Sequence, residues 1–319
     1  MRLVHSAEPR VSTAQAAETL LQRIEWTVLR RLDGALQGDY RTLFRGLGVD
    51  LADLREYQHG DDARTIDWNA TARLGLPHVR QHNEDREVAA WFLVDLSESV
   101  NFGSSGTTKR ALAVDFVAVI ARLLTRHGNR AGALLYTDGI DTVLPARGGR
   151  RHVLHLIDRV AGTAPVQGHG KPTQLGELFA RAAQVIKRRS MVFVVSDFIS
   201  EPGWGRTLAY LGQRHDVIAV RLRDVAEMTL PDLGMVMMED AETGQQLFVD
   251  THDAGFRKRF AGLTAKREST LRAALSQAGA DCIELSTGDY LADSLVRFAR
   301  LRKRRARLAS GGVPAARMK

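Results

Sequence analysis

The sequence predicts an α/β protein built on a mostly parallel sheet with helices on both faces. Three observations predict it. Short, largely apolar runs at 89–94, 131–136, 191–196 and 216–222 have the length and composition of buried strands. They alternate with longer stretches of helical periodicity near 108–126, 152–160, 175–187 and 254–278, and such alternation implies crossover connections and parallel pairing. Asp and Ser residues stand just past the ends of two of the runs, where open α/β sheets place their ligands.

Composition fits a globular protein, with 44% hydrophobic and 26% charged residues in a chain of 319. No apolar run approaches the ~20 residues that span a bilayer. The start, Met1-Arg2-Leu3-Val4-His5-Ser6, lacks the apolar core of a signal peptide. A lone cysteine, Cys282, excludes an internal disulfide and suits a reducing compartment, so a cytoplasmic location is expected. Within the strand pattern 280–285 the thiol reads as buried and structural. Charge is uneven. From Arg297 onward there are nine Lys/Arg and no Asp/Glu, so the net +8 belongs to the tail and the preceding residues are one unit negative. That distribution speaks against a nucleic-acid-binding core, which needs a basic face on the fold itself.

In order, the chain divides into four parts. Residues 1–37 hold a disordered lead and a helix reaching about Leu32, with Leu21, Ile24, Val28 and Leu32 on one face. Residues 38–87, dense in Gly, Arg and Asp, read as short strands and turns of a small β subdomain. Residues 88–296 form the α/β domain. Within it, Met235-Val236-Met237-Met238 and Gln246-Leu247-Phe248-Val249 read as a hairpin, its Met run as core. Residues 297–319 continue the last helix as a basic, solvent-exposed end over Arg300–Arg307, with disorder expected after Ser310.

Chemistry concentrates at the end of the 89–94 run. Asp95, Ser97 and Ser99 follow it at a spacing of two, which puts three oxygen-bearing side chains on one side of an extended segment. One carboxylate and two hydroxyls suit a hard cation, Mg²⁺ or alternatively Mn²⁺. The plainer reading is a set of helix caps, since Asp and Ser cap helices commonly. Thr173, directly ahead of a helix, and Asp197, at the end of a second apolar strand, add two more oxygens in the same region.

The ordered set Asp95, Ser97, Ser99, Thr173 and Asp197 resembles the metal-ion-dependent adhesion site of von Willebrand factor type A domains. The resemblance implies a von Willebrand A-like, Rossmann-like fold in which these five residues hold Mg²⁺ directly or through water. The open position of the ion then takes a Glu or Asp from a partner protein. The string Arg55 to Trp68, with Arg-Glu-Tyr-Gln-x-Gly-Asp-Asp-x-Arg-x-Ile-Asp-Trp, is similar to the family called domain of unknown function fifty-eight. Its members carry this segment ahead of an A-like domain. That resemblance implies a MoxR-type AAA+ ATPase as partner, an unknown client protein, and an adaptor or cochaperone role without enzymatic activity. Arg55, Tyr57, Asp61, Asp62, Arg64, Asp67 and Trp68 are the candidate partner-binding residues. Gly-Asp-Asp also makes turns, and Arg64 can pair with nearby carboxylates, so these residues equally serve structure. Two rival functions stand beside this one. One is a metal-dependent phosphohydrolase using Asp95, disfavoured by Ser97 where aspartyl phosphatases have a second Asp. The other is nucleic-acid binding through the basic tail, which is also suited to peripheral contact with acidic lipid.

Overall fold

A computed structural model describes residues 13–32, 54–58, 61, 66, 68, 71–72, 75–80, 89–164, 172–239 and 245–309. The expected lead at 1–12 and the tail beyond Ala309 lie outside these, as do Asp62, Arg64 and Asp67.

Helix α1 (Thr13–Ile24) runs into a wide π-helical turn, Glu25–Leu29, and continues to residue 32. That turn corrects the expected face. A π turn advances the register by an extra residue, so Leu29 is buried beside Leu21, Ile24 and Leu32, while Val28 is only partly covered. Strands β1 (Leu54–Glu56) and β2 (His78–Arg80) form a short antiparallel ribbon.

The main sheet has six strands: β3 (Ala89–Asp95), β4 (Arg130–Tyr136), β5 (Ile140–Arg147), β6 (Met191–Ser196), β7 (Asp216–Arg223) and, after a hairpin and a long helix, β10 (Asp281–Ser286). Their order is β10-β7-β6-β3-β4-β5, and every pairing is parallel except β4 with the edge strand β5. The chain steps outward from β3 to β4 and β5, then crosses back to β6 and steps the other way. The order therefore reverses between β3 and β6, and the carboxyl ends of those two strands form the switch-point crevice.

Alternation along the strands feeds two cores. On one face Phe92, Val94, Phe193, Val195 and Val220 pack under α1, α2 (Lys109–Arg126), α3 (Arg150–Gly162) and the last helix. Phe92 and Phe193 stack there at 5.3 Å. On the other face Trp91, Leu93, Val192, Val194 and Ala219 pack under α4 (Leu175–Val185), α5 (Trp204–Arg214) and α7 (Ala254–Gln277). The runs are mostly apolar because both faces of a parallel sheet are covered, and their polar residues stand near the strand ends. Asp95 is in phase with Trp91 and Leu93. A four-residue helix, α6 (Val225–Met228), follows β7, and α8 (Leu291–Ala309) ends the described chain. No helix among the described residues is long and apolar enough to cross a membrane.

Three further expectations are corrected. Strands β8 (Met235–Glu239) and β9 (Gln246–Asp250) do pair as a hairpin, but the Met run is not core: Met235, Met237, Leu247 and Phe248 are exposed. The hairpin forms its own two-stranded sheet, so the main core does not cover its outer face. Cys282 is exposed rather than buried, because its side of β10 lies outside the layer closed by Ile283 and Leu285. The basic end of α8 is not uniformly solvated. The Arg302 guanidinium is largely buried, donating to Asp216 and Asp281, the first residues of β7 and β10. Two carboxylates at the strand starts draw it in, and the guanidinium lies 5.9 Å from the centre of the Phe298 ring.

Candidate functional site

The mouth above β3 and β6 collects the oxygen residues. Asp95 ends β3 fully buried. The Ser97 amide donates to its Oδ1 at 3.0 Å, and the Ser196 hydroxyl donates to its Oδ2 at 2.7 Å. After Ser97 the chain enters a 3₁₀ turn, Glu98–Asn101, which brings Ser99 Oγ to 3.3 Å from Ser97 Oγ. Both serines are 4% exposed. Asp197 follows β6 directly and is 5% exposed. Its Oδ1 accepts from the Ile199 amide at 2.9 Å.

Thr173 reaches the same mouth on its own loop. Its carbonyl accepts from Ser200 Oγ and from the Glu201 amide, which ties it to the segment after Asp197. The next amide, Gln174, donates to the Tyr136 hydroxyl, and Tyr136 lies opposite Asp95 in the β3–β4 register. Thr173 is 2% exposed.

Phe198, between Asp197 and Ile199, has φ of 60°, the left-handed region that a non-glycine residue occupies at a cost. Its amide donates to Ser196 Oγ and its ring sits 5.5 Å from that of Trp204, so hydrogen bonding and packing hold the bend. The bend turns the chain sharply as it leaves β6, which lets Ile199 fold back onto the carboxylate of Asp197.

Lys109 is the residue that sequence reasoning missed. It is the first residue of α2, behind the Thr108 cap, and its side chain is wholly buried. The ammonium donates to Asp197 Oδ2 at 2.7 Å and to Glu227 Oε1 at 2.6 Å. Burial pushes its pKa down, but Asp197 and then Glu227 outweigh that and hold it above the usual lysine value, so it stays charged. A signal did exist in the sequence. A lysine in the first helical turn opposes the helix dipole, and something else must stabilise it there.

Asp95 has no such cation. Burial, and then the neighbouring charge of Asp197, push its carboxyl up to about 6 against the hydrogen bonds from Ser196 and Ser97. The mouth thus holds three carboxylates, Asp95, Asp197 and Glu227, against one ammonium, Lys109. A few residues away, Asp224 presents the opposite case. It accepts from the Ser104 amide and hydroxyl, the Thr287 hydroxyl and the Ala226 amide, and its capping box with Glu227 starts α6. Burial alone would raise its pKa, yet these bonds pull it down to about 2.

Of the candidate partner-binding residues, Arg55, Tyr57, Asp61 and Trp68 fall among the described ones. Arg55 is in β1. Asp61 closes a turn: its carboxylate accepts from the Gln58 amide at 2.8 Å, and the Tyr57 hydroxyl donates to its carbonyl. Trp68 is 70% exposed.

Strand order and covering helices together define the class: a mostly parallel, von Willebrand A-like α/β domain, with a cluster of buried oxygen side chains at its switch point. More narrowly, the chain belongs to the family described as Protein of unknown function DUF58, whose pattern matches residues 53–270. Among its relatives is "Uncharacterized protein Rv1480" of Mycobacterium tuberculosis, 38% identical over 287 residues, or 89% of each chain. "Uncharacterized protein MAV169" of Mycobacterium avium is 34% identical over 166 residues, 51% of this chain and 95% of that one. Solved structures similar to it include the conserved hypothetical protein BatB from Bacteroides thetaiotaomicron. That likeness has a TM-score of 0.44 at 11% identity, covering 68% of this chain and 99% of the other. The SpRpn10 VWA domain gives a TM-score of 0.35 at 13% identity, covering 66% and 93%.

Proposed function

We propose that this protein is a metal-dependent protein-binding module rather than an enzyme, and an adaptor or cochaperone of a MoxR-type AAA+ ATPase acting on a client protein. The observation that carries the reading is the content of the mouth. Asp95, Ser97, Ser99, Thr173 and Asp197 bury five oxygen side chains beside one another's loops, where three carboxylates face one ammonium. That formal deficit of two positive charges fits a divalent cation, and carboxylate and hydroxyl donors fit a hard one, Mg²⁺ or Mn²⁺. These five residues would hold it.

When bound, such an ion offers a coordination position to a Glu or Asp of a partner. The chain's own residues prepare for that. Ser196 and the Ser97 amide fix the orientation of Asp95. Lys109 compensates Asp197, which limits repulsion between the two carboxylates. Without a cation, a partner carboxylate brought to the mouth would lose its hydration and meet Asp95 instead.

Calorimetric titration against the co-purifying AAA+ ATPase, with Mg²⁺ and with EDTA, tests this. Asp95→Ala and Ser97→Ala should keep the fold, since each removes only a few atoms at the end of the sheet rather than between its layers, yet weaken binding roughly tenfold or more, as EDTA should. Equal affinity in the wild type, the variants and the chelated protein would defeat the proposal.

A further inference from the structure

Helix α7 is long for what it buries. Of its 24 residues only Glu268, Leu271 and Leu275 are buried, all in the C-terminal half. The N-terminal half still carries an apolar stripe at helical spacing, Phe256, Phe260 and Leu263; the two rings are half-buried and Leu263 is 70% exposed. The stripe leads into a groove of about 880 Å³ between α5 and α7. Phe198, Trp204, Leu271 and Ala274 contribute its apolar lining, and Arg206, Lys266 and Arg267 its charge.

The charge of the groove is one-sided. Its lining has three cations and no carboxylate. Neighbouring basic residues are paired: Arg221 with Glu268, Arg257 with Asp232, Arg259 with Asp253, Arg272 with Glu284. Arg206, Lys266 and Arg267 have no acidic partner among the described residues. Three unpaired cations around an apolar floor are complementary to carboxylates around an apolar anchor.

We infer that the groove between α5 and α7 receives an acidic, apolar-anchored helical segment of a partner protein. The exposed stripe on α7 gives such a helix a surface to lie along, with its anchors over Trp204 and Phe198 and its Asp/Glu residues against Lys266, Arg267 and Arg206. The groove opens beside the mouth: Phe198 directly follows Asp197, and Ser200, also in the lining, bonds to the Thr173 carbonyl. One partner can therefore occupy both surfaces, but binding in the groove needs no metal.

The test is fluorescence anisotropy in EDTA, with a labelled amphipathic peptide of about five helical turns carrying Leu and Phe anchors among Glu residues. Its counterpart has Lys for every Glu. The acidic peptide should bind, and the basic one should bind at least about tenfold more weakly. The double variant Lys266→Glu/Arg267→Glu should weaken the acidic peptide by about tenfold, and Ala274→Trp, which fills the floor, by as much. Both should melt with the wild type. Failure of the acidic peptide to bind, equal binding of the two peptides, or indifference to these variants would overturn the inference. A homodimer dispersed by the same substitutions would also overturn it, giving the groove to a second copy. Binding seen in Mn²⁺ but lost in EDTA would place the contact at the mouth and overturn it too. Absence of Mn²⁺ uptake would defeat the metal reading alone and leave this result standing.

Discussion

Two carboxylates at the same end of the sheet have been treated in opposite ways. Asp224, past β7, is ringed by four donors from three segments and titrates at about 2. Asp95, the last residue of β3, is buried beside another carboxylate with two donors and no cation, and its carboxyl is pushed up to about 6. A buried charge that exists for structure is satisfied from within the chain. One left short of positive charge is a place where something from outside completes the arrangement. The first region is a knot joining the loop at Ser104, the start of α6 and the end of β10. The second is the receptacle that the proposed metal site requires.

The largest expected difference is in stability. Asp224→Ala strands four donors and should cost about 3 kcal/mol by urea denaturation. Asp95→Ala, measured in EDTA, should cost less than about 1 kcal/mol, because relief of repulsion with Asp197 offsets the lost bonds. Equal losses would abolish the distinction between knot and receptacle.

The pH dependence should differ in sign. The Asp95 carboxyl titrates near 3.8 when unfolded and near 6 when folded, so the native state holds the extra proton between those values. Its contribution to stability is therefore present at low pH and lost as pH rises through about 6, on the order of 3 kcal/mol. Asp224, depressed to about 2 from 3.8, stabilises above the unfolded value and loses that contribution as pH falls through about 2. Denaturation in EDTA from pH 4.5 to 7.5, wild type against Asp95→Asn, isolates the first slope. Asp95→Asn should gain on the wild type as pH rises; parallel curves would contradict the account.

The smallest effect compares single hydroxyls. Thr287→Val removes a donor from the charged Asp224 and should cost about 1.5 kcal/mol. Ser99→Ala removes a hydroxyl whose contact is Ser97 Oγ, and should cost under about 0.5 kcal/mol without metal. With Mn²⁺ present, the two losses should draw together if Ser99 is a ligand, which a thermal-shift series can read.

Much of this architecture was legible in the residues. The apolar runs that became β3, β4, β6 and β7 differ from the helices in length and periodicity, and their alternation predicts the parallel sheet. Asp95 and Asp197 could be placed because each directly follows such a run. Lys109 could not, because nothing local tells a first-turn lysine which distant carboxylates it will meet. Asp224 could not be placed either, because its bonds to Ser104 and Thr287 span 120 and 63 residues. The Met run misled because hydrophobicity indicates a preference for burial without saying whether a neighbouring layer is there to provide it. The π turn in the first helix moved a face by one residue, a shift that strict helical periodicity does not encode.

Arg302 has a mechanical consequence. It fastens α8 to Asp216 and Asp281, the first residues of β7 and β10, whereas the oxygen-lined mouth lies at the opposite ends of the strands. The eight residues of β7 separate the two poles by roughly 25 Å. A pull between a partner at the mouth and one gripping the end of α8 would run along the strands. Force in that direction shears the parallel ladders, loading many hydrogen bonds at once, where a pull across the sheet would peel them singly. Tension between the two poles would therefore meet the ladders in shear, the direction in which they resist together.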